Sequence, residues 1–336
     1  MKLNEGILSA IGHTPLVRVS RLFKDQPFDF YVKLESLNPG GSMKDRSAAA
    51  IISQAIASGE VGPETTVIES SSGNMGVGLA QTCSYHGLRF VCVVDAKTTT
   101  QNIRLLEAYG AEIDVVTEPD PVTGEYLKAR LDRVQSLLAS TPQGFWPNQY
   151  ANYANPYAHR QTMSEIVTAL DGKVDYLFCA TSTCGTLRGC AEYVREEGLA
   201  TKVVAVDAVG SMIFGNHCGK RLIPGHGAAV RPALFQPGLA NRCVHVTDLD
   251  CVIGCRRLAR QEAILTGGSG GGVISAVESI KETIAAGATC VAILADRGER
   301  YLDTIYSDTW VRQHFGAVSY LWRETSKEQA CLTTIF

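Results

Sequence analysis

What most constrains this chain is a rhythm in which short β-branched runs alternate with helical patterns and glycine-rich breaks. TTVIES precedes a helix expected at about 75 to 87. FVCVVDA at 90–96, EIDVV at 112–116, YLFCA at 176–180, VVAVDAV at 203–209 and CVAILA at 290–295 repeat the pattern. This is the signature of α/β units on mostly parallel sheets. Between EIDVV and FWPNQY, Leu127, Leu131, Val134 and Leu138 recur at steps of four, three and four, so an amphipathic helix is expected there with its apolar face on a sheet. Lys128, Arg130 and Arg133 lie off that stripe. The length of 336 residues suggests two domains at roughly 150 residues each. With no repeat, low-complexity tract or long linker, their boundary should be intimate. Sites in such folds lie at strand C-terminal ends, often between domains.

Charge and cysteine usage narrow the function. Lys+Arg 31 against Asp+Glu 34 leaves a net charge of -3, which offers nucleic acid no cationic surface, and 45% apolar residues argue against disorder. The eleven cysteines are scattered, odd in number and without a CxxC pair, as expected for reduced thiols in a cytosol rather than a disulfide framework or zinc site. His217, Cys218 and His226 have no recognised ligand spacing, so no metal is expected. The N-terminus MKLNEGILSAIGHTPLVRV has neither a basic head nor an unbroken apolar stretch, and nowhere do eighteen apolar residues run together. The expectation is a cytoplasmic protein without signal peptide or membrane span.

Three glycine-rich turns follow strands or open helices. Glu69 to Gly76 reads ESSSGNMG, whose small residues would let backbone N–H groups face an anion at a helix N-terminus; alone it is equally a plain strand-to-helix turn. Thr181 to Thr186 reads TSTCGT, with hydroxyls and amides suited to a phosphate, and Gly267 to Gly272 reads GGSGGG, fitting close backbone approach to a flat ligand. None matches GxGxxG with a following acidic residue or GxxxxGK[ST]. A fourth segment, Asn38 to Arg46, places Lys44 after a Gly-Gly-Ser turn at the start of an alanine-rich helix. A helix N-terminus disfavours the lysine's cation, which would help a neutral amine attack a carbonyl.

KLESLNPGGSMKDR, ESSSGNMG, STCGT and GGSGGG, in that order and spacing, resemble the fold-type II pyridoxal-phosphate enzymes of the cysteine synthase and cystathionine β-synthase group. GHTPLVRV, QYANYANP and RGERYLDT carry the resemblance from about residue 5 to 310. It implies a tryptophan synthase β-like fold of two three-layer αβα domains. The larger would comprise 1–39 and 146–320 and a smaller, mobile one 40–145, with the cofactor between them. The segment 321–336 carries no motif and is expected to be a partly disordered tail. It also implies a homodimer. Residue by residue, Lys44 matches the Schiff-base lysine, Asn74 the partner of the cofactor's ring hydroxyl oxygen, and Ser182, Thr183, Cys184, Gly185 and Thr186 the phosphate loop. Ser269 matches the serine facing the pyridine nitrogen, and Ser71, Ser72, Gly73, Met75 and Gln149 match the holders of the substrate's α-carboxylate. The reaction so implied is β-replacement, in which an activated serine becomes an aminoacrylate that a second nucleophile attacks.

The usual T-S-G-N-T loop reads Ser71-Ser72-Gly73-Asn74-Met75 here, and the usual G-T-G-G-T loop reads Ser182-Thr183-Cys184-Gly185-Thr186. With ADRGERYLDTIYSDTW, these departures resemble a branch that joins the aminoacrylate from O-phospho-L-serine to the amino group of L-glutamate, making diaminopropionate precursors for siderophores and peptide antibiotics. Arg130, Tyr150 and Ser182 are the candidates for the additional phosphate and carboxylates, Arg130 by a bidentate contact. An ordinary solvated face is the competing reading of Arg130, and packing that of Tyr150. Cys184 reads as a small packing side chain rather than a redox sensor. The rival functions are a cysteine synthase using sulfide and a non-catalytic regulatory protein that kept the fold.

Overall fold

In the computed structural model of this chain, which describes residues 5–121, 124 and 126–322, strands and helices alternate where the apolar runs and glycine breaks require. The first half runs β1 (Leu16–Arg18), β2 (Asp29–Leu34), α1 (Lys44–Ala57), β3 (Thr66–Ser70), α2 (Asn74–His86), β4 (Arg89–Asp95), α3 (Thr100–Ala108), β5 (Glu112–Val116), α4 (Tyr126–Ser140) and β6 (Gly144–Phe145). The second runs α5 (Ala154–Ala169), β7 (Tyr176–Ala180), α6 (Gly185–Glu196), β8 (Lys202–Ala208), β9 (Arg242–Val246), α7 (Asp248–Glu262), α8 (Gly268–Ile280), β10 (Thr289–Leu294) and α9 (Asp308–Phe315). The tail from 323 onward lies outside the described residues.

Two sheets result. One has the order β1-β2-β10-β7-β8-β9, parallel except for the antiparallel β1–β2 pair at its edge; the other, β5-β4-β3-β6, is wholly parallel. The first sheet gathers strands from both ends of the chain, because β2 and β10 pair in register from Asp29↔Thr289 to Leu34↔Leu294.

The strands β3, β4, β7, β8 and β10 are buried on both faces, which is why they read as continuous apolar runs rather than alternating ones. In β10, Cys290, Ala292 and Leu294 enter one core with Phe30, Phe178 and Ile274, while Val291 and Ile293 enter another with Leu177, Leu187 and Ile166. In β4, Phe90, Cys92 and Val94 join Val67, Leu79 and Leu106, whereas Val91 and Val93 join Ile68 and Val134. Period-two alternation thus feeds helices on each side of each sheet. Of the stripe expected on α4, Val134 and Leu138 pack on β3 and β4 together with Leu137, which lies outside it, while Leu127 and Leu131 are half-buried and stand apart from that cluster. The strands without an apolar run, β1, β6 and β9, and the alternating β2, are the ones the sequence pattern leaves unmarked. The loops following β2, β3 and β7 carry three of the glycine-rich segments at strand C-terminal ends, and the fourth, Gly267 to Gly272, opens α8 beside the loop that follows β10.

Candidate active site

Lys44 opens α1, and three sets of bonds fix that helix start. Met43 N donates to Ala295 O at 2.8 Å, Ser42 bridges Asp296, and Gly40 N donates to the Asp45 carboxylate at 2.5 Å. Two residues on, the buried Arg46 donates to Glu35 at 2.7 and 2.8 Å and to Glu165 at 2.8 Å, and Lys33 Nζ adds a 2.6 Å bond to Glu165. Two cations against two carboxylates close that network in charge as well as in hydrogen bonds. The Lys44 amine lies 3.5 Å from Thr183 Oγ1, and burial lowers its pKa to about 8.

After β3, the Ser71 hydroxyl accepts from Gly76 N at 2.9 Å and folds the loop back on the first turn of α2. A side chain at Gly73 would meet nothing within 4 Å, so the backbone there borders open space. The Asn74 amide is gripped at both ends, donating from Nδ2 to Asp296 Oδ2 at 2.8 Å and accepting from Arg300. One Nδ2 hydrogen is left to offer a ligand. Met75 turns away: its side chain is 2% exposed within the core of the smaller sheet, leaving its backbone on the site side. Asn102 Nδ2 donates to Ser72 O at 2.9 Å.

After β7, Cys184 adopts φ 65 as the cap of α6, and its side chain packs on Ile213 and Leu234 while burial pushes the thiol up to about 12. A packing role is what the sequence suggested for it. Thr183 Oγ1 accepts from Gly185 N at 3.3 Å and Asn155 Nδ2 at 3.2 Å, Ser182 is half-buried, and Thr186 Oγ1 lies 4.0 Å from Met43 Sδ. Ser269 is buried in the first turn of α8, whose entry is tied by Gly267 N to Asp296 O at 3.2 Å. Asp296 therefore connects the Lys44 loop, Asn74 and the Ser269 turn; Tyr301 OH donates to it at 2.6 Å, and burial raises its carboxyl pKa.

A second group adjoins the Ser71 loop. Buried Glu69 accepts from Trp146 Nε1 at 3.1 Å, Ser70 N at 2.8 Å and Gln149 N at 3.2 Å, and burial raises its pKa to about 7. Burial likewise raises the Tyr150 phenol, with Arg130 acting in the opposite sense and Glu69 in the same one. Arg130 parts from its neighbours on α4: Lys128 and Arg133 are 52% and 45% exposed, Arg130 12%. Its Nε is 3.3 Å from Asp95 Oδ2 at the end of β4, and Nε and Nη1 make no hydrogen bond. The solvated-face reading therefore fails for Arg130, because it faces the strand ends.

A strand-turn-helix loop rich in small residues, a buried amine beside it and a spare amide hydrogen across the gap fit a flat, phosphorylated aldehyde. A sequence model of the family described as pyridoxal-phosphate dependent enzyme matches residues 7–296. The chain belongs to that family. It is 44% identical over 308 residues to the N-(2-amino-2-carboxyethyl)-L-glutamate synthase of Ralstonia nicotianae, covering 91% of each chain. Among solved structures it resembles an O-ureido-L-serine synthase, with a TM-score of 0.83, 30% identity and coverage of 99% of this chain and 100% of that one. It also resembles the O-acetylserine dependent cystathionine β-synthase of Helicobacter pylori, with a TM-score of 0.84, 28% identity and coverage of 91% and 100%. Family membership makes pyridoxal phosphate the cofactor of this enzyme. Among the described residues, no helix is long and apolar enough to cross a membrane and no His, Cys, Asp or Glu group could hold a metal.

Sequence reasoning gave no roles to Asp296, Arg300, Glu69 or Asn155. Asp296 and Arg300 stand in a motif right after an apolar strand run, a position that marks a strand's C-terminal end. Asn155 sits within QYANYANP, and nothing local shows that it faces Thr183, 28 residues away.

Proposed function

We propose that this enzyme carries out a β-replacement joining the three-carbon unit of O-phospho-L-serine to the amino group of L-glutamate, releasing phosphate and N-(2-amino-2-carboxyethyl)-L-glutamate. The identity to a synthase of that name over 91% of both chains carries the reading. When bound, the cofactor supplies the electron sink that lets a β-substituent of serine leave.

Lys44 would hold the cofactor and move the substrate's α-proton at Nζ, a role supported by an amine whose pKa of about 8 leaves it partly neutral near neutrality. The 182–186 loop, with the α6 N-terminus, would take the cofactor phosphate, and Asn74 would donate its remaining amide hydrogen to the ring oxygen. Ser269 would offer the pyridine nitrogen a neutral hydroxyl instead of a carboxylate, which would favour loss of a β-substituent over racemisation. Backbone N–H groups of the Ser71 to Met75 turn, together with Gln149, would hold the α-carboxylate. Arg130, Tyr150 and Ser182 would receive the leaving phosphate and the carboxylates of glutamate, the supporting feature being that Nη1 of Arg130, whose Nε is ion-paired with Asp95, makes no hydrogen bond. Homodimeric assembly and a cytoplasmic setting belong to the same reading.

The test is mass spectrometry of products from the cofactor-loaded protein, O-phospho-L-serine and an equimolar mixture of L-glutamate and sulfide. A dominant glutamate adduct is expected; cysteine alone would assign the chain to cysteine synthesis. Arg130→Ala should raise a substrate KM about tenfold, the loss of one charge-assisted contact, and unchanged KM values for both substrates would remove Arg130 from the site.

A further inference from the structure

Behind Thr183 lies a run of buried polar side chains to which the chemistry above gives no part. Asn155 donates from Nδ2 to Gln149 O at 2.8 Å and to Thr183 Oγ1 at 3.2 Å, and its Oδ1 accepts from Ser47 Oγ at 2.7 Å. Ser47, one turn beyond Lys44 in α1, is 3.2 Å from His159 Nε2, and His159 Nδ1 is 3.2 Å from Thr162 Oγ1. Asn155, Ser47, His159 and Thr162 are all fully buried. Burial, with Lys44 and Arg46 nearby, holds His159 well below its ordinary pKa, so its imidazole is neutral and carries one N–H.

The direction of each bond follows by elimination. A backbone carbonyl can only accept, so the Asn155 NH2 must face Gln149 O, which turns its second N–H to Thr183 and its oxygen to Ser47. Ser47 spends its hydrogen on Asn155 and must accept from His159, which puts the imidazole proton on Nε2 and leaves Nδ1 to accept from Thr162. Thr183 Oγ1 then receives two donors, Asn155 Nδ2 and Gly185 N at 3.3 Å. Both lone pairs are engaged, and what the hydroxyl has left to offer is its own hydrogen. Lys44 Nζ stands 3.5 Å away. The seat is close-fitting, because a Cβ on Gly185 would lie 2.2 Å from Asn155 Oδ1.

We propose that Asn155, backed by Ser47 and His159, is a positioning residue that makes the Thr183 hydroxyl a fixed hydrogen-bond donor into the site, toward the cofactor's phosphate. The inference rests on the proposed placing of that phosphate at the 182–186 loop.

A double-mutant cycle on the full-length protein tests it, reading the dissociation constant of pyridoxal phosphate and the phosphorus-31 resonance of the bound cofactor. Asn155→Leu and Thr183→Val should each weaken cofactor binding about tenfold and shift the resonance alike, and the double variant should bind no more weakly than Thr183→Val. Should Asn155→Leu fail to fold, Ser47→Ala takes its place, with a loss of about threefold that vanishes in the Thr183→Val background. Losses that multiply in the double variant, or an unshifted resonance in the variant at Asn155 or Ser47, would overturn the proposal. A parent protein that takes up no pyridoxal phosphate would instead defeat the cofactor placement beneath it.

Discussion

At the scale of single residues, burial rather than partner charge sets the chemistry. Lys44 has its pKa lowered to about 8 by desolvation, so the fraction of free amine rises as pH rises through that value. Cofactor uptake by the cofactor-free protein should therefore accelerate from pH 7 to 9, as read by the growth of visible absorbance. Lys44→Ala should abolish that absorbance and at least a thousandfold of the activity; a Lys44→Ala protein that keeps the absorbance would exclude the assignment. Asp45, the next residue, has its carboxyl raised to about 7 by burial. Between its unfolded pKa of about 3.9 and that value, the folded chain keeps a proton that the unfolded chain has released. Stability must then fall as pH rises through this window, with Glu69, also raised to about 7, adding to the slope. Urea unfolding of the cofactor-free protein at pH 5 and 8 should show the fall, and Asp45→Asn should lessen it. An identical pH difference in Asp45→Asn would mean that Asp45 is already ionised in the folded state.

At the scale of elements, the placement of Lys44 is a property of the start of α1. Arg46 satisfies the buried Glu35 and the half-buried Glu165 from two other segments, and Glu165 is held down to about 2 although burial pushes it up, because Arg46, Lys33 and His13 N bond it. Arg46→Met would leave Glu35 buried without its cation, and the expected cost is about 3–5 kcal/mol in chemical denaturation. A loss below 1 kcal/mol would show that water or a shift of the chain takes over the guanidinium's role. A short strand-to-helix loop gains its function in the same way. Cys184 closes the turn at φ 65 and sends its side chain into a small apolar cluster, so the loop presents amides and the Thr183 hydroxyl rather than a thiol.

At the scale of the whole molecule, Asn74 on the β3–β6 sheet unit reaches Asp296 and Arg300, which follow β10 of the six-stranded sheet. These bonds span the two sheets at the site. We propose that the smaller unit closes over bound substrate, keeping water from the reactive carbon. Solution scattering of the loaded enzyme should show a smaller radius of gyration with O-phospho-L-serine than without, and an unchanged profile would count against closure. The same interdependence limits what a linear reading can find. β7, β8 and β10 are legible because parallel strands buried on both faces must be nearly all apolar, and the glycine turns are legible because close backbone approach excludes side chains. The short β1 and β6 carry no such run, since an edge or a two-residue strand needs none.

The sequence by itself therefore determined the α/β class, the parallel strands and the four loops that carry chemistry, because burial period and backbone freedom are local demands that leave a local trace. Only the tertiary structure decided which face of α4 hides Arg130, that the Met75 side chain goes to the core, and that Asn155 and Asp296 stand behind Thr183 and Asn74. Those outcomes depend on packing between segments far apart in the chain, where a hydrogen bond or a buried charge is fixed by its partner's position and not by its neighbours in sequence.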